Sequence, residues 1–139
     1  MTKQELESYV GIKAECEAIQ IEIEMLYETV QALDYTKSVQ ASVGNVSNPT
    51  EKQAMRIMNL KEKLLKKRQE QIEMLEKIDE FVDSIENGEI RAIMRYHYLL
   101  GNSWTATSFK VFGVYSYDIP RKRIDRFFEG QSTEMSDNV

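Results

Sequence analysis

Cysteine is almost missing from this chain. The single Cys16 among 139 residues excludes an internal disulfide framework and a multi-cysteine zinc site. Proline occurs twice and glycine six times, too few to punctuate a succession of short strands, so a mostly helical chain is expected. No apolar run approaches the roughly 18 residues that span a bilayer. The start, MTKQELESYV, lacks the basic-then-apolar layout of a secretory leader. The expectation is a cytoplasmic protein with no membrane partner. No glycine-rich phosphate loop, Walker pattern or serine-centred elbow occurs. The glutamate pairs of the N-terminal half have no histidine companion, so no general acid–base pair is formed. His97, the only histidine, lies between two tyrosines on an apolar helix face and has no cysteine or acidic partner at metal spacing. It reads as a hydrogen-bonded core or boundary residue, and Cys16 as a small hydrophobe. No enzyme, no catalytic residue, no cofactor and no metal site is expected.

What is present is helical periodicity and an uneven charge. Thr2 and Glu5 form a capping box, each side chain suited to the other's backbone N–H. Tyr9, Ile12, Cys16, Ile19, Ile23, Leu26, Val30 and Leu33 then recur at spacings of three and four, a heptad seam. Residues 36–49, TKSVQASVGNVSNP, lose the seam and read as a loop. A second, broader apolar stripe takes in Ile57, Met58, Leu60, Leu64, Leu65, Ile72, Leu75, Ile78, Phe81, Val82 and Ile85, and Asn87-Gly88 reads as its end, with Gly88 free to adopt the left-handed region. Neither helix can bury its stripe alone. The fold class expected is all-α: a long antiparallel, coiled-coil-like helical hairpin over residues 1–88, followed by a small C-terminal helix-turn-helix bundle over 89–129. A disordered acidic tail is expected over 130–139. Self-association through Ile19, Ile23, Leu26, Val30 and Leu33 is expected, making a homo-oligomer.

The net charge of −5 hides an asymmetry. From Ile90 to Phe128 seven basic residues face two acidic ones, a net +5, which leaves −10 on the remainder. A short helix with Ile90, Ile93, Met94, His97 and Leu100 inward should end near Gly101. Ser103 should cap the next, with Trp104, Phe109 and Val111 or Phe112 buried and Gly113 as its stop. Ser116 or Asp118 should cap a third, with Ile119, Ile124, Phe127 and Phe128 inward and Pro120 in its first turn, where a missing N–H costs little. Two short helices joined by a glycine-containing turn, the second one basic, are the elements of a helix-turn-helix. The expected DNA-binding residues are Lys110, Ser116, Tyr117, Arg121, Lys122, Arg123 and Arg126. Tyr117, Arg121 and Lys122 lie where base edges are reached, and Arg123 and Arg126 where phosphates are held.

The stretch RAIMRYHYLLGNSW, followed by a helix, a glycine, YSY and RKRIDRFF, resembles the C-terminal module of phage-encoded, sigma-like late transcription activators of the ArpU and RinA type. Arg95-Tyr96, Gly101, Ser103-Trp104, Gly113, Tyr115-Ser116 and Arg126 match that family's region-four-like pattern. Three features depart from it. Thr107-Ser108 stands where the family has an Ile-Ala pair, one extra residue lies between Trp104 and Gly113, and Pro120 replaces an apolar residue. The resemblance implies a transcription regulator of a phage or prophage, acting in a bacterial host cell on double-stranded DNA, with host RNA polymerase as a further partner. Two other readings fit the same features. One is a non-DNA-binding interaction protein that inhibits or adapts a host protein through its helical hairpin. The other is a small terminase subunit.

Overall fold

A computed structural model describes residues 1–39 and 49–137, with side chains described over 1–32 and 50–131. The described residues are helical with no strand, so the chain is all-α. Helix α1 runs Lys3–Val39, α2 Pro49–Asp83, α3 Gly88–Met94, α4 Trp104–Phe112 and α5 Asp118–Asp137. A π-helical turn, Arg95–Leu99, extends α3. No helix among the described residues is long and apolar enough to cross a membrane.

Local chemistry sets most of the helix ends. The Thr2 hydroxyl accepts from the Glu5 N–H at 3.2 Å, and Glu5 accepts from the Thr2 N–H at 3.1 Å. This is the reciprocal cap that the sequence pattern implied. Helix α1 persists through Val39, beyond the expected loop start at 36, and α2 already includes Pro49; residues 40–48 lie outside the described residues. Asn87-Gly88 departs from expectation as well. Helix α2 stops at Asp83, and the Asn87 side chain accepts from the Glu89 and Ile90 N–H groups. It is therefore the N-cap of α3, and Gly88 is the first residue of that helix rather than a left-handed stop. At the other boundary, α5 continues past Gly130 to Asp137, so the segment expected to be disordered begins as helix.

The chain divides into two compact units at places the heptad does not mark. One comprises Met1–Gly11 with Glu73–Val139, the other Ile12–Ile72. The division falls within α1 and α2 because the start of α1 and the end of α2 carry side chains that join the C-terminal core. In the unit of residues 12–72, Cys16, Ile19 and Ile23 of α1 pack with Ile57 and Leu64 of α2. Glu15 pairs with Lys67 at 3.5 Å and Glu22 with Arg56 at 2.6 Å, so the segments run antiparallel. Leu26 and Val30 are half-buried against the same cluster, and the Leu33 side chain lies outside the described residues. Ile19 and Ile23 were expected at an oligomer contact; they are instead buried by α2 of their own chain. Each fully buried aliphatic side chain there contributes about 1.5–3 kcal/mol, whereas the exposed ion pairs add at most about 1 kcal/mol.

In the other unit, Leu6 and Tyr9 join Ile78, Val82, Ile85, Ile90, Ile93, Met94, Tyr98 and Ile124 in one core. The π-helical turn decides which side chains of the α3 extension reach it. Leu100 N–H bonds back five residues to the Arg95 carbonyl at 2.9 Å. One extra residue per turn rotates the following positions. Tyr98 is thereby buried, and Leu100, expected inward, is 64% exposed.

Candidate nucleic-acid interface

The segment from Ser103 to Phe128 is held by four local devices. The Ser103 hydroxyl accepts from the Ala106 N–H and caps α4. Gly113, at φ +77°, ends that helix in the left-handed region, where a side chain would be strained. The buried Ser108 hydroxyl donates to the Val114 carbonyl at 2.6 Å, tying the turn to the helix before it. The Ser116 hydroxyl accepts from the Ile119 N–H at 3.2 Å, so Ser116 is engaged in starting α5. Pro120 is buried in the first turn of α5, where no intrahelical N–H is missed.

The α4 face differs from expectation. Thr107 and Ser108 are fully buried, and Phe109 is exposed. The two small polar residues stand at the positions facing the core, and Phe109 follows one step around the helix. Its ring stacks on that of Tyr115 at 4.5 Å with an interplanar angle of 8°. Tyr115 is 72% exposed, and Val114 and Tyr117 are exposed beside it. This aromatic surface over the turn is a feature that residue-by-residue reading missed. The signal was available: Trp104, Thr107, Ser108 and Val111 stand at i, i+3, i+4 and i+7, one face of a helix, and Phe109 lies off it.

Helix α5 is anchored by Pro120 and Ile124, with Phe127 and Phe128 half-buried against Phe81 at 6.3 Å. Ile119, expected inward, is exposed. With that face fixed, the four basic residues point in different directions. Arg121 donates to the Asp118 carboxylate at 3.0 Å and lies 5.1 Å over the Tyr117 ring. The bond from Asp118 holds its pKa above the ordinary guanidinium value. Arg123, on the opposite flank, pairs with Glu89 and covers the Phe112 ring at 4.7 Å. Lys122 and Arg126 sit between these flanks, both exposed, one turn apart and with no carboxylate partner among the described residues. Arg123 and Arg126 rim a shared hollow with Asn87, Ile90 and Phe127. Lys110 is exposed on α4, with its ammonium 6.0 Å from the Tyr96 ring.

The seven expected residues therefore differ in setting, Lys110 and Tyr117 being exposed beside Tyr96 and Arg121 respectively. Lys122 and Arg126 form an outward strip to which a polyanion has access. Arg121 and Arg123 are partly neutralised by acidic residues of the same unit, and Ser116 is a cap. Among the described residues no group of three or more His, Cys, Asp or Glu side chains could hold a metal ion. No protein-family model, curated protein or solved structure matches the chain.

Proposed function

We propose that the protein binds duplex DNA through α4, the turn at Gly113 and α5, and acts as a sigma-like transcription regulator of a phage or prophage. The observation that supports this reading most is the outward strip of Lys122 and Arg126 on a helix anchored by Pro120 and Ile124. Phosphate contacts dominate the affinity of such interfaces, and two cations one turn apart suit adjacent backbone phosphates. Tyr117 and Arg121, at the start of α5, are the residues placed to meet base edges. Arg121 must first release Asp118, and its planar fork then suits a bidentate contact to a guanine edge. The −10 carried outside residues 90–128 favours docking with that basic segment foremost. A homo-oligomer, with host RNA polymerase as a further partner, belongs to the same proposal, as does a site of action in the host cytoplasm.

The test is binding to a set of genomic duplexes across a salt series. Lys122→Ala and Arg126→Ala should each weaken all sequences alike and lower the salt slope by about one unit. Arg121→Ala should relax sequence preference at a cost of about 1–3 kcal/mol. A promoter-fused reporter then separates a regulator from a small terminase subunit, which would bind DNA without changing transcription.

A second reading is supported by the Phe109–Tyr115 stack. Exposed, mutually ordered aromatics at a turn suit a protein partner, because they bury much area at little entropic cost. Wild-type protein that shows no salt-dependent binding to any duplex would leave the adaptor or inhibitor reading as the better one, with this turn as a contact surface in addition to the helical hairpin expected from the sequence.

A further inference from the structure

The unit of residues 12–72 has two rows of apolar residues that its own packing does not use. On α1, the face holding Cys16, Ile19 and Ile23 is closed by α2. A second row, Ala14, Ala18, Ile21 and Met25, follows at spacings of four, three and four, and every member is exposed. On α2, Met58, Leu65 and Ile72 recur every seven residues and are also exposed, Leu65 by 73%. Both spacings keep a row on one side of its helix. Scattered apolar residues on a surface need no explanation, but two aligned rows of them do.

The charges beside these rows are of opposite sign. Residues 12–32 carry one lysine against five glutamates, a net −4. Residues 50–72 carry seven basic residues against three glutamates, a net +4. The pairs Glu15–Lys67 and Glu22–Arg56 join the two helices within the chain. Outside them, exposed Glu17, Glu24 and Glu28 border the α1 row. Exposed Arg68, three residues after Leu65, borders the α2 row with Lys61, whose ammonium also donates to the Tyr27 hydroxyl of its own α1, and exposed Glu62 lies on the row's other side.

We infer that the outer row of α1 docks on the exposed row of α2 of a second copy of this chain. Pairing two α1 rows would bring two helices of net −4 together, and pairing two α2 rows would bring together two of net +4. Only unlike rows match apolar surface and charge at once. The contact is then heterologous: each copy offers one row of each kind, and the assembly closes into a ring or continues head to tail. This gives the surface and the symmetry of the proposed self-association, and it does not require DNA binding.

Sedimentation equilibrium of the full chain tests it, using Ile21→Glu and Leu65→Glu. Both positions are exposed, so each variant should keep the helical circular dichroism of the wild type; if either does not, Ile21→Gln and Leu65→Gln replace them. The wild type should sediment above monomer mass, and each variant alone as a monomer. An equimolar mixture should give a one-to-one dimer, because Leu65→Glu retains the α1 row and Ile21→Glu retains the α2 row. A monomeric wild type overturns the inference. A variant that dimerises alone, or a mixture that stays monomeric, overturns the pairing of unlike rows. Loss of DNA binding with assembly intact would count against the regulator reading and leave this one standing.

Discussion

The buried hydroxyl of Ser108 donates to the main-chain carbonyl of Val114 at 2.6 Å, across the left-handed Gly113. A buried side chain from the middle of α4 thus fixes the path of the chain into α5. Ser108→Ala should therefore cost about 1 kcal/mol, the net value of one hydrogen bond, in urea unfolding. Ser108→Val, which adds volume at a fully buried site, should cost more. Unchanged stability in both variants would mean that the bond does not hold the turn.

Tyr98 and Leu100 test the register set by the π-helical turn. Tyr98→Ala should cost about 3–5 kcal/mol, in the range for a large buried side chain, and Leu100→Ser less than about 0.5 kcal/mol. The Tyr98 hydroxyl is buried without a hydrogen-bond partner among the described residues, and burial pushes its pKa well above the ordinary phenol value. Tyr98→Phe should then be neutral or stabilising by about 1 kcal/mol. Chemical denaturation of the three variants is sufficient, and a costly Leu100→Ser would refute the register.

The His97 ring stacks on Trp104 with centroids 3.5 Å apart, and its Nδ1 lies 2.8 Å from the Asn102 carbonyl. Burial lowers its pKa from 6.5, with the Asn102 carbonyl and Glu7 acting in the opposite sense. With the folded value below the unfolded one, the unfolded chain takes up the proton first as pH falls. The contribution of this group is complete above about pH 6.5 and is lost as pH falls through the folded pKa. Subtracting the stability profile of His97→Gln from that of the wild type should leave this decline. Trp104, the only tryptophan, should report the same titration by fluorescence. A midpoint above the free-histidine value would contradict the sign.

Arg123 should behave as a structural residue and Lys122 as a DNA contact, although they are neighbours in sequence. A double-mutant cycle on Arg123 and Glu89 should give a coupling below about 1 kcal/mol, as befits an exposed pair. Arg123→Ala should leave the salt slope of DNA binding unchanged, whereas Lys122→Ala should reduce it by about one unit. Equal slopes for the two variants would show that the helix face has been misassigned.

Features governed by interactions within three or four residues were legible in the sequence. The Thr2–Glu5 box, the caps at Ser103 and Ser116, the glycine stops at Gly101 and Gly113, and the tolerance of Pro120 in a first turn all belong to this class. So does the seam of Cys16, Ile19 and Ile23, since helical spacing alone places them on one face. Asn87 shows the limit even locally, because the same Asn-Gly pair can end one helix or begin the next. Tertiary structure decided the rest. The rotation that buries Tyr98 and exposes Leu100 depends on a π-helical turn, with the Leu100 N–H bonded to the Arg95 carbonyl, that periodicity does not encode. Burial of Thr107 and Ser108 with Phe109 left exposed is realised only once α4 packs against α3 and α5. The basic run of α5 reads as one patch in the sequence. It divides in space because Arg123 meets Glu89, 34 residues earlier, while Lys122 points away from that flank. A charge is neutralised by whatever the fold brings within a few ångströms, and that distance is not written in the local pattern.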